Sequence, residues 1–109
     1  MGYNLYVTRA DAWYDASSHP IPHKDWAAIV SADPDLEWSP SDYVETHSDA
    51  GNIREHLVIW LRHPDRVPFW YYQGAIEAKN PDVATIRKLV ELARNLTARC
   101  FGEEGEEYD

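Results

Sequence analysis

One cysteine, Cys100, and one methionine are all the sulfur the chain holds. No intramolecular disulfide can form, and the lack of a disulfide framework fits a reducing compartment. Positive charge is also scarce: 10 Lys and Arg face 19 Asp and Glu, for a net charge of −9. So acidic a chain is repelled by phosphate backbones and anionic lipid, which argues against nucleic acid and membrane surfaces as partners. No apolar run approaches the roughly 20 residues that span a bilayer. The first residues, Met1 to Arg9, lack the basic start and long apolar stretch of a signal peptide. Gly2 is a poor myristoylation acceptor beside Tyr3 and Val7. The expected location is the cytoplasm.

Chemical signatures are missing too. There is no nucleophile elbow, phosphate loop or dinucleotide fingerprint. Five histidines are present, His19, His23, His47, His56 and His63, without metal-ligand spacing. His19 and His23 are four apart, but Pro20 and Pro22 prevent one regular helix from carrying both. No metal and no cofactor is expected.

What the chain does have is aromatic weight: five Trp, seven Tyr and two Phe in 109 residues, with 44% hydrophobic residues overall. That composition excludes disorder and suits one compact core. Tyr3, Leu5 and Val7 alternate with Asn4, Tyr6 and Thr8, a strand period. Asp11 to Pro22 is expected as a loop whose Trp13 and Tyr14 pack back on the core. Trp26, Ile29 and Val30 give His23 to Ala32 one apolar helical face, ended by Asp33-Pro34. Leu36 to Trp38 and Tyr43 to Thr46 are expected as short strands around a Ser39-Pro40-Ser41-Asp42 turn. Leu57 to Leu61 is nearly all apolar, as in a strand buried on both faces. Phe69 to Tyr72 and Ala75 to Lys79 flank Gln73-Gly74 as a hairpin. The last helix is expected to start at an Asn80 cap with Pro81 in first position. Its stripe of Val83, Ile86, Leu89, Val90, Ala93, Leu96 and Cys100 would run to a Gly102 cap. The fold class is therefore α+β: an antiparallel sheet of about four to five strands against a long C-terminal helix, with a shorter helix near the N-terminus. One domain is expected over residues 1–102, followed by an acidic tail over 103–109.

The opening Met1-Gly2-Tyr3-Asn4-Leu5-Tyr6-Val7-Thr8-Arg9-Ala10 with Trp13, and Pro20-Ile21 with Trp26 and Asp33-Pro34, form one set of matching features. A second set is Lys79-Asn80-Pro81-Asp82 before a helix and Phe101-Gly102-Glu103-Glu104-Gly105-Glu106 before Tyr108. Together they resemble a family of small bacterial proteins that carries no assigned activity. The likeness implies a bacterial single-domain protein and transfers no catalytic residue. Pro22 stands where that family has a Ser or Thr cap.

Two functions compete. Phe69, Trp70, Tyr71 and Tyr72 are consecutive in a strand, so they cannot all point inward, and the outward ones need a cover. With Trp60 and the tail acids Glu103 and Glu104, they are the candidate binding residues of an acidic interaction protein. Its partner would be a basic protein, as for an immunity protein that neutralises a basic toxin, and a homodimer is also compatible. The alternative is a small enzyme or ligand-binding module. Its pocket would be lined by Trp60, Trp70 and Tyr72, with His56 or His63 as the acid–base group. A cleft holding a histidine beside a carboxylate would favour the second; a flat or convex acidic surface with exposed aromatics would favour the first.

Overall fold

The structure, a computed structural model, describes residues 3–49 and 51–108. Met1 and Gly2 of the expected N-terminal motif, Ala50, and Asp109 of the expected tail lie outside the described residues. Seven strands form one sheet in the order β2-β3-β4-β5-β1-β6-β7. They are β1 (Asn4–Thr8), β2 (Leu36–Ser48), β3 (Gly51–Trp60), β4 (Val67–Tyr72), β5 (Ala75–Lys79), β6 (Arg99–Gly102) and β7 (Glu107–Tyr108). Every neighbouring pair is antiparallel. The helices are α1 (His23–Ala32) and α2 (Val83–Asn95), with a 3-10 turn at Trp13–Ser18. Among the described residues no helix is long and apolar enough to cross a membrane.

The α+β class and the antiparallel sheet stand; the strand number and the long last helix do not. The helix α2 has 13 residues and stops at Asn95. The Thr97 N–H donates to the Arg94 carbonyl and the Ala98 N–H to the Ala93 carbonyl, the two bonds of a Schellman end. This end requires a left-handed residue, and Thr97 supplies it with φ 52°. A β-branched residue is a rare choice there, so the sequence carries no glycine to mark the stop. Past it, Arg99 to Gly102 pairs with β1, with Cys100 opposite Val7. Cys100 is thus buried from a strand rather than a helix, and burial, followed by the charge of Glu107, pushes its thiol up to about 12. Thr97→Gly is expected to raise stability by up to about 1 kcal/mol, since glycine removes the left-handed penalty and returns part of it as backbone entropy. Denaturant titration checks this; a loss of stability would mean that the Thr97 side chain makes a needed contact.

The start of α2 is also displaced. Asn80 takes φ 48° and ends β5, its N–H donating to the Tyr3 carbonyl at 2.9 Å. The cap is Asp82, whose Oδ1 accepts from the Thr85 N–H at 2.9 Å and from the Thr85 hydroxyl at 2.6 Å. Its Oδ2 accepts from His63 Nε2 at 2.6 Å, and these bonds hold the Asp82 carboxyl well below the usual range.

Both helices cover one face. Trp26 and Val30 of α1, and Leu89, Leu92 and Ala93 of α2, share a core with Leu5, Val7, Val58, Phe69, Ile76, Ala78 and Cys100. Lys88 of α2 reaches Asp33 behind α1 at 2.5 Å. Burial alone would raise the Asp33 carboxyl, but the Lys88 bond and the Asp35 N–H pull it below its usual value. On the other face the 3-10 turn packs on β1 through Trp13, which stacks on Tyr6 at 4.8 Å and 11°. Tyr14 does not pack inward; it is 70% exposed.

The segment expected as a solvated tail is tied to the sheet. Cys100 pairs with Tyr108 and Phe101 with Glu107. Glu103 Oε1 accepts from the Asn4 N–H, and the Glu103 carbonyl from Trp13 Nε1, both at 2.9 Å. Tyr3 donates its hydroxyl to Glu106.

Candidate functional site

The opening of the site begins with a bulge. Between Trp38 and Tyr43 on β2, and Val58 and His56 on β3, the ladder loses register: Ser39, Pro40, Ser41 and Asp42 on β2 stand against Leu57 alone on β3. Proline cannot donate to a ladder, and bulges bend and twist the strand that holds them. Ser39 stabilises the bulge: its Oγ accepts from the Asp42 N–H at 3.0 Å and its carbonyl from His56 Nδ1 at 2.8 Å. The expected turn residues therefore lie inside one long irregular strand.

Next to the bulge, β3 stays with β4 for only three rungs, Trp60 with Val67, Ile59 with Pro68 and Val58 with Phe69. Beyond Val58 and Phe69 the two strands part. β4 continues against β5, while the outer half of β3 continues only with β2. The fork holds a cleft of about 730 Å³, lined by His23, Trp38, Ile53, Arg54, Glu55, His56, Tyr71, Tyr72 and Gln73.

Each wall is held in place. The β4–β5 turn is tight, with Gln73 at φ 51° and Gly74 at φ 77°, as a two-residue hairpin requires. The Gly74 carbonyl accepts from the Ile21 N–H at 2.9 Å, and Tyr71 donates its hydroxyl to the Ile21 carbonyl at 2.6 Å. These two bonds fix the Pro20–Pro22 segment and so place His23 at the first position of α1. Burial, then the negative charges of Glu55 and Asp25, push the Tyr71 phenol above its usual value.

His23 is the centre of the cleft's polar wall. Its ring stacks on Trp38 at 5.8 Å and 21°, and meets Tyr71 edge-on at 5.3 Å and 85°. Its Nε2 donates to Glu55 Oε2 at 2.9 Å. The Glu55 side chain is only 18% exposed, whereas His23 is 51% exposed. Arg54 is engaged elsewhere, against Glu45 at 3.4 Å and over the Tyr43 ring at 4.7 Å. His56 gives its Nδ1 proton to a carbonyl, so in the neutral ring Nε2 carries the lone pair. A histidine beside a carboxylate in a cleft can bind a donor-rich or cationic group and can exchange protons. Among the described residues no group of three or more His, Cys, Asp and Glu is placed to hold a metal ion.

The candidate residues from the sequence separate. Tyr71 and Tyr72 line the cleft, Tyr72 at 46% exposure. Phe69 is fully buried at the fork's base. Trp70 faces away, under Lys79 Nζ at 4.1 Å from its ring. Trp60 sits outside the cleft against His63, 5.5 Å between rings. His63 is 8% exposed and fully used: Nε2 donates to Asp82 and Nδ1 accepts from the Asp65 N–H at 3.0 Å. Of the expected pocket, Trp60, Trp70 and His63 therefore lie elsewhere, while Tyr72 and His56 line it. Glu103 bonds the backbone of Asn4, and Glu104 is exposed beside Tyr3. Trp38 is one of the aromatics that the sequence offers for a pocket and His23 one of its five histidines, but Glu55 and the meeting of the three escape a sequence reading, because the bulge and the fork that join them are tertiary features. No family model, curated protein or solved structure matches this chain.

Proposed function

We propose that this protein is an acidic interaction protein that holds a basic protein partner at the cleft between β3 and β4. The observation that carries the reading is Glu55. It is a mostly buried carboxylate in an aromatic cleft on a strongly acidic chain; the histidine beside it is the feature expected of a ligand or catalytic cleft and belongs to the second reading below. The net charge of −9 would draw a basic partner in, and Trp38, Tyr71 and Tyr72 would hold it. An immunity protein that neutralises a basic toxin is one form of this reading.

The test is capture from a lysate of the source cells, using wild type and Tyr71→Ala as baits at two salt concentrations. A basic protein retained by wild type, and lost by the folded variant, is the expected result. If the captured protein is an enzyme, adding the wild-type chain should inhibit it. Equal recovery on both baits would reject the cleft as the contact.

The second reading is a small-molecule pocket. It is favoured by the cleft volume, which lies within the usual range of about 300–1,000 Å³ for ligand sites. It is also favoured by the His23–Glu55 pair, a histidine beside a carboxylate inside the cleft, with His56 on the same lining. Recovery of a bound small molecule from the purified protein would favour it.

A further inference from the structure

We propose that the group received by this cleft is a guanidinium, the side chain of an arginine on the partner, and that it takes the place now held by the His23 imidazole. This rests on the reading of the protein as a partner for basic proteins and names the contact.

The argument comes from what His23 does. A planar ring lies with its face near Trp38, 21° from parallel, and its in-plane N–H points to a carboxylate. A guanidinium offers the same two features in stronger form. It is flat and weakly hydrated, stacks on aromatic faces, and presents several in-plane N–H donors that match a carboxylate bidentately. A lysine ammonium is a compact point charge that stacks poorly and cannot fork onto two oxygens. The imidazole meets only one Glu55 oxygen, Oε2, at 2.9 Å. At 51% exposure it has room to turn out. Tyr71 and Tyr72 then flank the arriving side chain, and Tyr71 is kept in position by its bond to Ile21. The nearby Arg54 does not occupy Glu55, because its guanidinium is held at Glu45 and Tyr43.

The experiment is a backbone amide NMR titration of the whole chain with N-acetylarginine amide, and in parallel with N-acetyllysine amide. Wild type, Glu55→Gln and His23→Ala are compared, each with its melting curve recorded. The arginine probe should give saturable shifts at residues 23, 38, 55 and 71, with the lysine probe several-fold weaker. Glu55→Gln should weaken the arginine probe about tenfold, the size of one charge-assisted hydrogen bond. His23→Ala removes the competing ring and should bind the probe at least as tightly as wild type. Absence of saturable shifts at these residues in the folded protein overturns the inference. So does equal binding of both probes, or an unchanged affinity in Glu55→Gln. The capture experiment is read separately: a basic partner that binds while the arginine probe does not leaves the broader reading standing and removes only the guanidinium.

Discussion

Phe69→Ala is expected to lower the unfolding free energy by about 3–5 kcal/mol, the usual cost of emptying a buried phenylalanine site. Phe69 is 0% exposed and shares the core with Val58, Ile76, Leu89 and Trp26. The surroundings of a sheet-centre aromatic cannot collapse without moving strands, so the cavity is expected to persist. Its position adds a second consequence. Phe69 pairs with Val58 on the last rung before β3 and β4 diverge, so it sets where the fork begins. With typical domain stability of about 5–15 kcal/mol, the variant should remain folded only marginally. Urea titration measures the loss; a change below about 1 kcal/mol would mean that the fork base is not packed as described.

Truncation after Gly102 is expected to lower the melting temperature by roughly 8–16 °C. The sequence alone argues for a dispensable tail, since five of the last nine residues are acidic and only Phe101 and Tyr108 are large and apolar. The structure reverses that expectation. Removing Glu103 alone frees the Asn4 N–H and the Trp13 Nε1, both part-buried. Two such bonds at about 1 kcal/mol each, at about 4–8 °C per kcal/mol for a chain of this size, give the stated range. Loss of the β7 rungs and of Tyr108, which packs against the core, adds to it. A melting temperature unchanged within a degree or two would show that the tail bonds do not form.

The local signals that pointed to structure were those contained in one stretch of chain. Gln73-Gly74 between aromatic and β-branched runs marks its hairpin, and Pro22 and Asp33-Pro34 bracket α1. Failures came where one residue contradicts its usual preference or where pairing is remote. Thr97 stops α2 in a conformation threonine seldom takes. Arg99 to Gly102 is too short for a period of two to register, and it becomes a strand only because β1, some ninety residues earlier, has a free edge there. Ser39 to Asp42 has turn chemistry, which a bulge uses equally well. The site divides along the same line. Outward aromatics in the Phe69 to Tyr72 run were foreseeable from alternation alone. The pairing of His23 with Glu55, 32 residues away, depends on the bend of the β2–β3 hairpin and could not be read from either segment.

The most direct test of the cleft as the contact compares two carboxylates of equal charge. Glu55 lies in the cleft, and Glu104 lies exposed on the β6–β7 loop. Binding kinetics of the captured basic partner would be measured for wild type, Glu55→Gln and Glu104→Gln at low and physiological salt. Loss of a rim charge mainly slows association, whereas loss of a desolvated contact mainly speeds dissociation. Glu55→Gln is expected to speed dissociation about tenfold or more at both salt concentrations, a change of about 1.4 kcal/mol or more. Glu104→Gln should alter only the association rate, and less at about 0.15 M salt, where the screening length is about 8 Å. Equal and purely salt-dependent effects of the two substitutions would contradict the account, because binding would then depend on overall charge and not on the cleft.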